Sequence, residues 1–118
     1  MTDPTVNCLF CRIARREAPA KYVHEDETAV AFEDIRPRAP THLVVVPRKH
    51  IESLNALTVE DEPVIGHLNR VAADLARERG LDQTGYRVVI NTGRNAGQSV
   101  FHVHLHLLGG RPMMWPPG

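Results

Sequence analysis

The chain has 118 residues, 42% hydrophobic and 24% charged, with 14 acidic and 14 basic residues and a formal net charge of zero. That length suits a single domain, assigned to residues 1–118, with a modest core, and the neutral balance excludes general steering toward nucleic acid or an anionic membrane in favour of a small ligand. No apolar run approaches the ~18 residues needed to span a bilayer, and no apolar leader precedes the first charges, so a cytoplasmic protein is expected.

Residues 1–7 read as a loose arm. Cys8 to Arg16 has the spacing of a short helix, with Leu9 and Ile13 at i and i+4. Arg12, Arg15 and Arg16 gather near its end, where cations oppose the helix dipole, and Pro19 stops it. Lys21 to Glu25 and Thr28 to Glu33 read as two strands around a tight Asp26-Glu27 turn. Arg36-Pro37-Arg38-Ala39-Pro40 is a rigid loop, because both prolines fix φ and restrict their predecessors.

His42 to Pro47 is a short strand whose run Leu43-Val44-Val45-Val46 suits burial on both faces. Thr58 to Arg79 is the one long helix. Val64, Ile65, Leu68, Val71, Ala72, Leu75 and Ala76 form its apolar stripe. Thr58 with Asp61 resembles a capping box, Pro63 must lie near the first turn, which moves the expected start toward Asp61, and Gly80 is a plausible cap at the far end. Tyr86 to Asn91 is a further strand, and Thr92 to Gly97 a loop rich in Gly and Asn. Strands joined by short turns with one long helix predict an α+β fold: an antiparallel sheet of about five strands, one long helix and a short N-terminal helix.

The chemistry concentrates near the end. His102, His104 and His106 alternate with Val103, Leu105 and Leu107, which reads as a strand with one buried face. The three imidazoles would share the other face, roughly 6–7 Å apart. Two uses follow. One is a three-histidine metal site with room for water. The other is nucleophilic and acid–base work on a phosphate, for which a group titrating near 6.5 is suited. Cys8 and Cys11 form a Cys-x-x-Cys without the βαβ context of a redox motif, so they stay reduced or bind metal. Phe10 and Phe32, taken alone, read as core.

His102 to Leu108 thus reads His-φ-His-φ-His-φ-φ, with φ apolar. Gly97-Gln98-Ser99-Val100 precedes it, Gly109-Gly110-Arg111 follows, the chain ends Trp115-Pro116-Pro117-Gly118, and Ala39-Pro40-Thr41-His42 lies upstream. From about Cys8 to Gly118 these blocks resemble the histidine-triad (HIT) superfamily, in particular its Hint branch of histidine-triad nucleotide-binding proteins. The resemblance implies a HIT-like fold and a purine nucleoside phosphoramidate hydrolase, turning adenosine 5'-phosphoramidate into AMP and an amine through a covalent nucleotidyl-histidine. It makes His104 the nucleophile and places His106 at the phosphate, His102 and His42 beside them, and Ser99 at the leaving group.

By the same resemblance Asn91, Gly97 and Gln98 lie on the phosphate side, and Gly97 has a reason of its own, since lacking Cβ it lets backbone N–H groups come close. Asp34 would hold the ribose hydroxyls. Leu9, Phe10, Ile13, Phe32 and Ile35 would wall a slot for a purine. Some bacterial relatives carry the Cys-x-x-Cys with zinc, which implies a structural site of Cys8, Cys11, His50 and His102, whereas the animal Hint proteins that the tail resembles lack it. No cofactor is implied for catalysis itself. Hint proteins are two-fold dimers, so a homodimer is expected with Trp115 near the partner's active site; from sequence alone Trp115 could equally fold onto its own subunit. Two alternatives stand beside this reading: a dinucleoside polyphosphate hydrolase, which the tail argues against, and a nucleotide-binding regulatory module with incidental hydrolysis.

Overall fold

In the computed structural model, residues 5–118 are described, so the first four residues of the expected arm lie outside them. Five strands form, Tyr22–Glu25 (β1), Ala29–Glu33 (β2), Thr41–Pro47 (β3), Tyr86–Val89 (β4) and Leu105–Gly109 (β5). They make one sheet in the order β1-β2-β3-β5-β4, every neighbour antiparallel. The helices are Leu9–Ala14 (α1), Glu62–Glu78 (α2) and a single turn, Leu81–Thr84 (α3), which the sequence did not suggest. The α+β architecture is the expected one. Among the described residues no helix is long and apolar enough to cross a membrane.

The two faces of the sheet are covered unequally, and this makes the site. On one face Ala29, Ala31, Leu43, Val45, Leu105 and Leu107 pack against Leu68, Val71, Ala72, Leu75 and Ala76 of α2. Each large side chain buried there contributes on the order of 1.5–3 kcal/mol. The opposite face carries the alternate residues, Val30, Phe32, Val44 and Val46, and receives Phe10, Ile13 and Ala14 of α1. A helix of 6 residues cannot cover what one of 17 residues covers. The β3–β5–β4 half of that face is left open, and His42, His104, His106 and Leu108 lie on it.

Several details differ from the expectation. Helix α2 starts at Glu62, beside the Asp61 start that Pro63 implied, because the Thr58/Asp61 capping box closes a separate 3-10 turn, Val59–Asp61, and Pro63 then opens the α-helix. Leu9 and Ile13 do not share a buried stripe: Ile13 is buried, whereas Leu9 faces outward at the mouth of a groove. β4 ends at Val89, short of Asn91. Finally, β5 begins at Leu105, so His106 alone of the three histidines lies in the strand. Val103 N–H donates instead to Ile51 O at 2.6 Å, beyond the end of β3, which draws the His102–His104 segment off the ladder.

Candidate active site

His104 and His106 line a cleft of about 460 Å³, with Phe10, Asp34, His42, Asn91, Gly97 and Ser99 among its other walls. The hydrogen bonds around it fix the form of each ring. Arg38 N–H donates to His42 Nδ1 at 3.0 Å, so in a neutral His42 the proton sits on Nε2. That nitrogen lies 2.9 Å from His106 Nδ1 and donates to it. His106 therefore keeps its own proton on Nε2 as a donor. His104 Nδ1 lies 2.8 Å from His102 O and must donate to it, which leaves His104 Nε2 as a bare lone pair. A bare ring nitrogen and a ring N–H donor thus stand side by side, their ring centroids 5.0 Å apart.

Burial keeps these rings neutral. It holds His106 down to about 4, helped by the neighbouring His104 and His42, and it lowers His104 in the same direction. His42 is also lowered, first by burial, with the Asp34 carboxylate pulling the other way. Asp34 Oδ2 is 3.4 Å from His42 Nε2, and its Oδ1 accepts Arg36 N–H at 2.8 Å. Phe10 meets the His104 ring edge-on at 4.9 Å, joining the chemistry to α1.

Beside the cleft an apolar groove of about 390 Å³ is lined by Leu9, Phe10, Ile13, Phe32 and Ile35, the five residues expected to hold a base, with Asp34 at the junction. Ile35 is 91% exposed, so a wall there is completed only when something lies against it. Ser99 lines both the cleft and the groove. Gly97 has φ 79°, and nothing lies within 4 Å of where a Cβ would sit. Its left-handed backbone, rather than crowding, calls for glycine.

Two expected site residues are placed otherwise. Gln98 is buried and does not line the cleft. Its side chain donates to Glu52 O and Val100 O and accepts from Gly93 N–H, bracing the loop that carries Ser99. Only its loop, not its amide, serves the site. His102 likewise turns away from the cleft, fully buried; to His104 it offers its backbone carbonyl. A metal held jointly by all three histidines is thereby set aside. The cause is again the break before β5, which rotates His102 off the shared face.

The His102 ring enters a second cluster. Its Nε2 donates to Pro47 O at 2.8 Å, leaving Nδ1 bare. That atom lies 3.3 Å from Cys8 Sγ, 3.4 Å from Cys11 Sγ and 3.2 Å from His50 Nδ1, and Cys11 Sγ is 3.3 Å from His50 Nδ1. All four ligand atoms lie within 4.8 Å of one another. A tetrahedral zinc with bonds of ~2.0–2.3 Å needs ligand atoms at about this separation, so the set fits the ion. The Pro47 carbonyl supplies the outer hydrogen bond that orients a ligating histidine.

The sequence reading did not place Arg36, Arg38, Val44, Val89, Val100 or Leu108 at the cleft. For the apolar four there was no signal, since Val44, Val89 and Leu108 reach it only through sheet register and Val100 through the loop before β5. For the arginines the signal existed: two cations on a proline-stiffened loop beside Asp34.

Against known proteins, a family profile described as "Scavenger mRNA decapping enzyme C-term binding" matches residues 7–115. The purine nucleoside phosphoramidase of Escherichia coli K12 is 44% identical over 105 residues, covering 89% of this chain and 88% of its own length. An uncharacterized HIT-like protein of Synechocystis is 47% identical over 93% of the chain and 96% of its own length. Among solved structures, a HIT family hydrolase from Legionella pneumophila superposes with a TM-score of 0.93 at 51% identity, over 95% of this chain and all of that one. A histidine triad nucleotide-binding protein from Candida albicans gives 0.80 at 30% identity, over 93% and 83%. Sequence blocks, sheet order and the pairing of His104 with His106 lead to the same place, and the chain belongs to the histidine-triad family.

Proposed function

We propose that the protein hydrolyses purine nucleoside phosphoramidates to the nucleoside monophosphate and an amine. The observation that carries this reading is the bare Nε2 of His104, held so by its own Nδ1–H on the His102 carbonyl, beside a donating His106. The lone pair attacks the α-phosphorus, forming a P–N bond to His104 while the P–N bond to the amine breaks. His106 Nε2–H donates to a non-bridging oxygen, and the departing nitrogen takes the Ser99 hydroxyl proton, which the water of the second step restores. Water then attacks the nucleotidyl-histidine, returns the His104 lone pair and releases the monophosphate. The base occupies the apolar groove and the ribose hydroxyls meet Asp34. The activity named for the E. coli relative supports the substrate class.

The reading is tested by His104→Ala, expected to lose several orders of magnitude in turnover of adenosine 5'-phosphoramidate while still binding AMP. Quenched reactions of the unaltered protein should carry the mass of AMP on His104. Near-normal turnover by the variant would end the proposal.

Two further parts belong to the proposal. Cys8, Cys11, His50 and His102 would hold a structural zinc, for which the fit of the four ligand atoms argues. The protein would act in the cytoplasm as a homodimer. In support, Trp115 is 81% and Met114 78% exposed, with Tyr86 and Val88 partly exposed on the edge strand β4. Arg87 Nη2 donates to Met114 O at 3.0 Å and holds the tail beside that edge. A lone exposed tryptophan of this size is suited to a pocket on a second copy, near its active site.

A further inference from the structure

The two cysteines stand one helical turn apart at the start of α1, Cys8 as its N-cap and Cys11 in its first turn. One turn separates their Cα atoms by roughly 5 Å, inside the span of about 4.4–6.8 Å that a disulfide bridges. Both sulfurs belong to the cluster whose ligand atoms all lie within 4.8 Å of one another, so neither side chain has to swing far to meet the other. Cys11 N–H donates to Cys8 Sγ at 3.4 Å, which keeps that sulfur turned toward Cys11.

Access tells the two apart. Cys8 is partly exposed, whereas Cys11 is 2% exposed. A small reagent arriving from solvent therefore meets Cys8 first. The chain has no third cysteine, so Cys11 is the one thiol of the same chain that can react with whatever forms on Cys8.

Zinc held by this cluster keeps both sulfurs as thiolates, the form that attacks a peroxide. Cys8 Sγ takes one peroxide oxygen, the O–O bond breaks, hydroxide leaves, and a sulfenic acid remains. Cys11 Sγ then attacks the Cys8 sulfur, the S–S bond forms, and a second hydroxide leaves. Two thiolates are oxidised and one peroxide is reduced. His50 and His102 are then only two of the four ligands that a structural zinc needs. Both ties between the cluster and α1 run through cysteine, so oxidation cuts both and leaves the helix resting on Phe10, Ile13 and Ala14. The His104 hydrogen bond goes to the His102 carbonyl rather than to its ring, so the lone pair in the cleft survives.

We propose that Cys8 and Cys11 are a reversible redox modification site: peroxide converts the zinc-binding dithiolate to an intrachain disulfide, frees the ion and lowers the stability of the fold while sparing the cleft. The release of the ion rests on the zinc site proposed above; the disulfide does not. A transient, redox-sensing bridge is the kind of disulfide that a reducing compartment permits.

The test treats full-length, zinc-loaded protein with hydrogen peroxide. A chromogenic chelator should report about one zinc released per chain. Arg12 is the first site for trypsin, so residues 1–12 carry both cysteines in one peptide, which should weigh two hydrogens less. The Tm should fall as far as chelator alone lowers it. Thiol reductant with zinc should restore it, and zinc without reductant should not. Dimedone present during the reaction should label Cys8 and leave Cys11 bare; Cys11→Ser should accumulate that label and Cys8→Ser should resist it. Should either variant fold poorly, the label on the unaltered protein decides the order of attack. An unchanged peptide in excess peroxide, a bridge between two chains, a label on Cys11 in place of Cys8, or sulfinic acid without the disulfide would each overturn the site. Protein that carries no zinc before treatment would end the zinc site and the release with it, while the peptide mass still confirms or refutes the disulfide.

Discussion

Replacing Cys8 by Ser removes one of four ligands from the proposed zinc site, and the structure sets the size of the response. The cluster joins α1, through Cys8 and Cys11, to His50 just beyond β3 and to His102 just before β5. Helix α1 has 6 residues, too few to hold its shape alone, so its docking rests on Phe10, Ile13, Ala14 and this cluster. An ion present at about 1,000 times its dissociation constant stabilises the native state by about 4 kcal/mol. For a domain of this length 1 kcal/mol moves the Tm by about 4 °C, so the loss should be on the order of 15 °C. Differential scanning calorimetry on the protein as purified, on chelated protein and on Cys8→Ser reads this directly. Chelator should lower the Tm of the unaltered protein to nearly that of the variant and leave the variant unmoved. Elemental analysis should find about one zinc per chain in protein purified without chelator. No zinc in that preparation, or a chelator shift equal in both proteins, would refute the site.

The pH profile tests the buried rings. With His106 held at about 4 and His104 lowered by burial, both stay neutral below the ordinary imidazole range, so the acid limb of kcat/KM should fall clearly under pH 6.5; a limb at 6.5 or above, measured with saturating buffer controls, would contradict the assignment. The same shift has a cost: between pH 6.5 and about 4 the unfolded chain takes up protons that folded His106 refuses, so stability should decline as pH falls through that window in denaturant titrations. Asp34→Ala should weaken AMP roughly 10- to 100-fold by calorimetry, the loss of hydrogen bonds to a charged group, and unchanged affinity would remove Asp34 from the ribose. Deleting residues 113–118 should alter selectivity among amines more than affinity for AMP, and sedimentation should find a dimer at micromolar concentration. A monomer would refute the dimer, and unaltered selectivity the role of the tail.

The sheet and the long helix were legible because their signals are local: the Leu43–Val46 run and the 3.6-residue stripe from Val64 to Ala76 need no tertiary knowledge. The site was legible as a set of residues, since His42, His104, His106, Asp34 and Ser99 all meet in the cleft. What alternation could not reveal is the break before β5. The pattern from Val103 to Leu107 continues unbroken in the sequence, while the hydrogen bond from Val103 to Ile51 depends on a segment about 50 positions earlier in the chain. Gln98 was misplaced for a related reason: its three partners, Glu52 O, Val100 O and Gly93 N–H, are backbone groups, invisible in a list of side chains. The arginines were overlooked because a rigid proline loop reads as a connector until its neighbours are known.

The break before β5 also explains how one residue serves two sites without confusing them. His102 gives its ring to the cysteine cluster and its carbonyl to His104. Were the strand regular through residue 102, the three rings would share a face, and any metal there would compete for the His104 lone pair that the proposed reaction uses. The turn separates them. It also keeps the two contributions independent, since the His104 contact is to backbone, and that backbone is held on one side by Val103 N–H on Ile51 O and on the other by the β3–β5 ladder starting at Leu105. Neither anchor uses a ligand side chain, although Ile51 and Val103 directly follow His50 and His102. Cys8→Ser should therefore lower the melting temperature while leaving turnover nearly unchanged well below it, and excess chelator should do the same to the unaltered protein. Turnover abolished by chelator at a temperature where the fold persists would instead place the metal in the chemistry, at the Asp34, His42 and His106 group, whose ligand atoms also lie within 4.8 Å of one another. The proton relay argues against that outcome: His42 Nε2 and His106 Nδ1, 2.9 Å apart, already share one hydrogen between them, and a metal would have to displace it.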